Sequence, residues 1–233
     1  MRRRAASMVI PTLNEVEGIR ALLPQIQGVS AQELIVVDGG STDGTVEILQ
    51  KAGIKVTSQN SKGRGSAIRQ GVVAAKHDSI VIFSPDGNEN PEDVEMLLDL
   101  LDGGADLAIA SRFLPESRNE EDDSLLPLRA LANRLFTWIA NVLWNRDTYV
   151  TDTINGYRAF RRKIFEQLGI DAPGFVIEYQ MTIRAMKLGL KIREIPTREG
   201  NRIGGKSKSS SVPTGVRFLK SLVREIWIGK SWR

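Results

Sequence analysis

Residues 79–93 read SIVIFSPDGNENPED. Ser79–Phe83 is a short apolar run rich in Ile and Val, the pattern of a strand buried on both faces. It stops at Ser84-Pro85. Asp86, Gly87 and Asn88 then fall on a turn. Asn90-Pro91-Glu92-Asp93 has the form of a helix start, with a cap residue, Pro at the first position and acids in the first turn. A carboxylate, Asp86, therefore stands at the carboxyl end of a strand, where open α/β sheets bind ligands. The same residues also fit an ordinary turn in which Asp bonds its own backbone.

Upstream, Ala6–Ile10 is a strand that ends at Pro11, and Asn14 is placed to cap a helix running to about Leu23. Glu33–Val37 is a second strand. It ends in DGGSTDGT, residues 38–45, where Thr42 or Asp43 would cap a helix over Thr45–Ala52. Ile54–Ser58 is a third strand, and NSKGRGS at 60–66 leads into a helix over Ala67–Lys76. A basic, glycine-rich turn at a helix N-terminus is a candidate phosphate cradle; a plain strand–helix loop is the alternative. After a helix over Pro91–Leu101, Asp106–Ala110 is a further strand ending at Ser111-Arg112-Phe113. Strands and helices alternating at short spacing predict an α/β fold, a mostly parallel central sheet with helices on both faces. The turns Pro11–Glu15, Asp38–Gly44 and Ser84–Asn88 then meet on one sheet edge as a polar crevice.

In the second half, Pro115–Ser124 is acidic and aperiodic and reads as a mobile loop. Leu128–Trp144 is a helix whose Leu128, Leu131, Leu135 and Ile139 share a face, directed either at the core or at a membrane interface, where its Trp and Arg residues are at home. Thr151–Phe160 is a polar turn into a strand, followed by helices over Arg161–Leu168 and Phe175–Leu188 and a strand over Leu190–Ile195. Asn201–Ser211 is a basic Gly/Ser/Lys loop. Val216–Trp232 is amphipathic, with Val216, Leu219, Leu222, Val223, Ile226 and Trp227 on one side, and would dock on the core or on lipid.

Composition narrows the chemistry. Of 233 residues, 41% are hydrophobic and 26% charged, as in an ordinary globular protein. There is no cysteine, which removes disulfides, thiolate metal sites and a Cys nucleophile. The single histidine, His77, rules out a metal site built on His. The net charge of +4 is concentrated at Arg2-Arg3-Arg4 and in residues 198–233, which suggests an anionic partner such as phosphate, nucleic acid or a membrane surface. No nucleic-acid-binding module is recognisable, so nucleic acid is not an expected partner. No apolar run is long enough to span a bilayer.

VIPTLNE at 9–15 and VVDGGSTDGT at 36–45 resemble the opening motifs of family 2 GT-A glycosyltransferases. The resemblance continues through KGRGSA at 62–67, SRF at 111–113, DTINGYRAF at 152–160 and RIGGKSK at 202–208, and is strongest to the dolichyl-phosphate mannosyltransferase and polyprenyl-phosphate glycosyltransferase branch. It implies a Rossmann-like GT-A domain over residues 1–211 followed by an amphipathic basic helix over 212–233. The implied activity is inverting transfer of a hexose from a nucleotide-diphosphate sugar to a polyprenyl phosphate.

The resemblance also implies roles. Pro11, Leu13, Glu15, Asp38, Lys62 and Gly63 would bind the nucleotide. Asp86 and Asn88 would hold Mg²⁺ or Mn²⁺ on the donor diphosphate, a hard cation that takes oxygen ligands. Ser84 stands where the motif has its first acid, and one carboxylate binds a divalent cation less tightly than two. Arg112, Arg129 and Arg202 would hold the acceptor phosphate and the departing diphosphate, with Asn133, Asp152 and Lys206 on the acceptor side. Many relatives add membrane spans. This sequence has none, so the expectation is a cytoplasmic protein peripheral to the membrane. The alternatives are a non-lipid acceptor, with Asp152 or Glu178 as general base, and a nucleotide-sugar binding module without catalysis, which Ser84 keeps open.

Overall fold

A computed structural model describes residues 3–122, 127–204 and 211–232. In chain order the first half runs β1 (Arg4–Thr12), α1 (Val16–Gly28), β2 (Ala31–Asp38), α2 (Thr45–Lys51), β3 (Val56–Ser58), α3 (Arg64–Ala74), β4 (Ser79–Ile82) and α4 (Asp93–Asp102). The second half runs β5 (Leu107–Ser111), α5 (Leu128–Trp144), β6 (Arg158–Arg161), α6 (Arg162–Leu168), α7 (Ile177–Leu188), β7 (Ile192–Pro196) and α8 (Ser211–Ile228). The strands form one sheet in the order β3-β2-β1-β4-β6-β5-β7. All pairings are parallel except those of β6, which runs antiparallel to β4 and β5.

All four residues of β4 are buried, as its unbroken apolar run requires. Alternating side chains feed two cores. Val9, Ile80 and Ile82 join the layer of α3, α6 and α7, whereas Met8, Ile10 and Val81 join that of α1 and α4. The reversed strand matters for function. Because β6 is antiparallel, the loop that precedes it lies at the same sheet edge as the loops that follow β4 and β5. Residues 152–156 are thereby brought beside Ser84–Asn88 and Ser111–Phe113.

Three expectations are corrected. Pro11 does not end β1; it pairs in register with Val37. Phe83 N–H donates to Val9 O and Gly39 N–H to Thr12 O, so Val9 and Pro11 present their polar groups to the β4 side. The ladder to β2 therefore loses no donor at Pro11. Similarly, α1 continues through Pro24 to Gly28. Pro24 and Arg20 are both exposed, so the Arg20 carbonyl deprived of its donor faces water. Finally, residues 115–122 are tied down rather than loose: Arg118 N–H donates to Thr197 O, and Glu199 N–H to Arg118 O.

The apolar faces of α5 and α8 are the largest departure from a core-facing reading. Leu128, Leu131, Leu135, Trp138 and Val142 of α5 are exposed, as are Val216, Leu219, Val223, Ile226 and Trp227 of α8. The core takes Ala130, Thr137, Ala140 and Asn141 from α5, and Phe218, Leu222 and Glu225 from α8. The two helices touch through the Phe136 and Phe218 rings, 5.5 Å apart. Among the described residues no helix is long and apolar enough to cross a membrane.

One close approach fixes the turn after β4. Gly18 of α1 is buried, and a Cβ there would overlap the carbonyl oxygen of Pro85. Gly18→Ala should destabilise the fold by about 1–3 kcal/mol through overpacking and displace Asp86. Gly28→Ala is the control, since a Cβ at Gly28 meets nothing within 4 Å. Thermal melts of the two variants check this: equal melting temperatures would contradict it.

Candidate functional site

The loops after β1 and β2 interlock. Asn14 N–H donates to Ser41 Oγ at 2.8 Å, and Thr42 N–H to Asn14 Oδ1 at 2.8 Å. Glu15 N–H donates to Thr45 Oγ1 at 3.0 Å, and Val16 N–H to Asp43 Oδ2 at 3.1 Å. Asp43 of the neighbouring loop thus caps α1. Asn14 itself sits in the left-handed region, φ 51°, which Asn tolerates. Asp38 is buried and saturated by its own loop, accepting Gly40 N–H and Ser41 N–H at 2.8 Å and the Ser41 hydroxyl at 2.5 Å. Its carboxylate shapes the loop. Pro11, paired with Val37 in the sheet, is buried, while Leu13 and Lys62 are exposed. Gly63 and Gly65 each leave room for the backbone of residues 172–173, which a Cβ would overlap.

Beside these loops lies a cleft of about 370 Å³. Asp86, Asn88, Arg112, Arg129, Asn133 and Arg202 all line it. Arg202 joins two loops, donating to Asp86 Oδ2 at 2.8 Å and to both oxygens of Glu15 at 2.6 and 2.7 Å. Arg129, at the start of α5, reaches Glu120 and Glu121. Asn133, one turn on, faces the cleft half-buried.

Asp152 does not line the cleft; it lies fully buried beneath Arg112. Arg112 Nε donates to Asp152 Oδ2 at 2.7 Å and Nη2 to Oδ1 at 3.0 Å. The N–H groups of Ile154 and Asn155 also donate to Oδ1. Asp152 is therefore a positioning group for Arg112 rather than an acceptor contact. Burial raises its carboxyl, but Arg112 outweighs that and holds it below the usual carboxylate range. For Arg112 the same pairing, with Glu199 added, overcomes burial and strengthens its hold on the proton. Glu178 is likewise committed, accepting from Arg64 Nε at 2.7 Å. Lys206 lies outside the described residues.

Among the cleft residues, the sequence reading gives Glu89 and Glu199 no role and takes Arg64 only as part of the basic turn at 60–66. Arg64 sits within KGRGSA, two residues beyond Lys62, and its guanidinium occupies the space that a Cβ at Gly156 would need. Glu89 follows Asn88 directly and is buried. Burial pushes its carboxyl well above the usual range, Arg64 opposes this, and Asp86 and Glu199 add to it. Glu199 has no local signal: it follows β7 and arrives by topology, 3.7 Å from Arg112 Nη1.

The donors fit a hard cation. Asn88 Oδ1 is buried without a hydrogen-bond partner, and the Asn88 N–H donates to Asp86 Oδ1 at 3.3 Å. Among the described residues no three Asp, Glu or His side chains form a ready-made cage. That suits a cation shared with a diphosphate, which takes one or two carboxylates and fills its shell with phosphate oxygens and water.

Comparison with known proteins gives the family and the fold. The model of the family described as glycosyl transferase family 2 matches residues 7–169. The chain is 31% identical to glycosyltransferase AglJ of Haloferax volcanii over 83% of its own length, and spans 62% of that relative. It is 31% identical to polyprenol monophosphomannose synthase of Mycolicibacterium smegmatis, covering 87% of this chain and 80% of that one. Identity to undecaprenyl-phosphate mannosyltransferase of Micrococcus luteus is 29%, covering 87% and 86%. In fold it resembles glucosyl-3-phosphoglycerate synthase of Mycobacterium tuberculosis, solved with Mn²⁺, UDP and phosphoglyceric acid, at TM-score 0.75 and 23% identity over 95% of this chain and 78% of that one.

Proposed function

The chain belongs to glycosyl transferase family 2, and on that footing we propose that it moves a hexose from a nucleotide-diphosphate sugar to a polyprenyl phosphate, with inversion at the anomeric carbon. One observation carries the choice of acceptor: the arginine-lined cleft opens onto an apolar surface. Leu128, Phe136 and Phe218 line the cleft, and the exposed stripes of α5 and α8 continue outward from them. An apolar patch of this kind on a monomer marks an interaction site. Arg217 and Lys220 flank it and would face the anionic headgroups of a membrane surface.

In the reaction the bond between the sugar C1 and the leaving diphosphate oxygen breaks, and its electron pair stays on the diphosphate. An oxygen of the acceptor phosphate forms the new bond from the opposite face. That phosphate is already an anion, so no general base is required. This agrees with Asp152 and Glu178 being buried and paired with Arg112 and Arg64. The chain must instead hold two anions together. Arg112, held through Nε and Nη2 by Asp152, would turn its Nη1 to a phosphate oxygen as a charge-assisted donor; Arg129 and Arg202 would supply the remaining positive charge. Mg²⁺ or Mn²⁺, held by Asp86 and Asn88, would neutralise the departing diphosphate. The interlocked loops carrying Pro11, Leu13, Glu15 and Asp38, together with Lys62 and Gly63, would bind the nucleoside end.

A panel of labelled UDP- and GDP-hexoses, offered with vesicles containing a polyprenyl phosphate and Mn²⁺, tests this. Label should partition into organic solvent, and the protein should sediment with the vesicles. A water-soluble product would establish a non-lipid acceptor. Donor-dependent thermal stabilisation without any transfer would leave a binding module.

A further inference from the structure

We propose that Glu89 supplies the second carboxylate of the cation site, taking the place that Ser84 leaves without an acid. The inference rests on the donor reading above. Asp86 is the one carboxylate within the turn Ser84–Asn88, and a lone carboxylate holds a divalent cation weakly. The turn folds back on itself, with Gly87 at φ 98°. As a result the Glu89 side chain returns to the start of the turn, and Ser84 N–H donates to Glu89 Oε2 at 2.6 Å. An acid five residues further along the chain thus stands against the residue that lacks one.

Three further features point at a cation. Glu89 is only 8% exposed yet lines the cleft together with Ser84, Asp86 and Asn88. Its second oxygen accepts no hydrogen bond from the described residues. Asn88 Oδ1, between Asp86 and Glu89 in sequence, is buried and equally without a donor. The nearby cation, Arg64, gives its Nε to Glu178. Two carboxylates and an amide oxygen with spare lone pairs form an oxygen-only donor set. Diphosphate oxygens and water complete the shell of Mg²⁺ or Mn²⁺ from such a set.

The test is Mn²⁺ binding, read from the loss of the free-ion signal in electron paramagnetic resonance, in the presence of UDP or GDP. Glu89→Gln keeps the shape and the Ser84 hydrogen bond. It should weaken Mn²⁺ binding at least ~10-fold, the lower end of what outer-shell changes alone do to metal affinity, while metal-free melting stays as in the wild type. Ser84→Asp in the Glu89→Gln background should restore most of the affinity, because it returns a carboxylate to the same space. Wild-type Mn²⁺ affinity in Glu89→Gln overturns the inference and leaves the donor reading standing. Should Glu89→Gln fail to fold, the double variant decides: Mn²⁺ binding at wild-type strength supports the proposal, and none overturns it. Absence of Mn²⁺ binding by the wild type with either nucleotide overturns both this inference and the donor reading.

Discussion

Asp86→Ala is expected to lower transfer by at least ~10²–10³-fold, the range seen when one preorganised charge-stabilising group is removed from an active site. In the proposed mechanism Asp86 has two functions. It would be a carboxylate for the cation on the donor diphosphate, and it anchors Arg202 through a 2.8 Å bond. Without it, Arg202 is left with Glu15 alone at the loop after β1, and the cleft loses a carboxylate that would bind the metal. The loss should be selective. Binding of a nucleoside monophosphate should be nearly unchanged, whereas metal-dependent binding of the diphosphate should collapse. Asp86→Asn separates the two functions, because an amide oxygen still accepts from Arg202 but carries no charge. If the cation is the greater part, Asn is nearly as damaging as Ala. Steady-state transfer with calorimetric titration of mono- and diphosphates measures both, and unchanged turnover in Asp86→Ala would remove the metal from the proposed mechanism.

Asp86 was legible because its surroundings are local. An apolar run, a turn and a helix start follow one another within fifteen residues, and each announces itself by residue type. The edge on which the loops meet follows from strand alternation alone. What escaped the sequence depends on which partners meet. Nothing in RAFR, the four residues of β6, says that the strand runs against its neighbours, yet that reversal delivers Asp152 to Arg112, 40 positions away. Asp152 was visible as a motif residue; its burial was not. The periodicity of α5 correctly gave a helix with an apolar stripe. A period locates a stripe without saying what covers it, and here the core accepts the small residues Ala130 and Ala140 while the leucines face out. Gly63 and Gly65 admit two readings for a related reason, since room for another backbone and room for a phosphate demand the same residue.

Glu225→Ala should destabilise the protein by about 3–5 kcal/mol, the cost of leaving a buried ion pair without one partner. Glu225 is fully buried, as is Arg184. It accepts from Arg184 Nη2 at 2.9 Å, from Lys187 Nζ at 2.8 Å and from Gln180 Nε2 at 3.1 Å. Trp232 covers both cations, its ring 4.8 Å from each. Removing the carboxylate strands two positive charges. Lys187 can shed its proton, because burial already lowers its pKa; Arg184 cannot. At ~2–4 °C per kcal/mol for a chain of this size, the melting temperature falls by roughly 6–20 °C.

The sign of the pH dependence is fixed. Burial raises the Glu225 carboxyl, but the hydrogen bonds from Arg184, Lys187 and Gln180 outweigh it and hold the group below its ordinary value. Its stabilisation is therefore complete above the unfolded value of about 4.3 and fades as the pH falls through the folded one. The gap between wild type and variant should narrow in acid. Replacing Glu225, Arg184 and Lys187 together by Leu, Met and Met should recover much of the loss, since no charge is then stranded. The consequence for function follows from where α8 lies. Glu225 shares its buried stripe with Phe218 and Leu222, and Phe218 is a wall of the cleft. On the proposed reading, loosening α8 would open the wall assigned to the acceptor while the Asp86 side stays intact, so the Michaelis constant for a lipid acceptor should rise more than that for donor. Equal increases in the two would mean that α8 supports the whole fold and gives the acceptor side no separate shape.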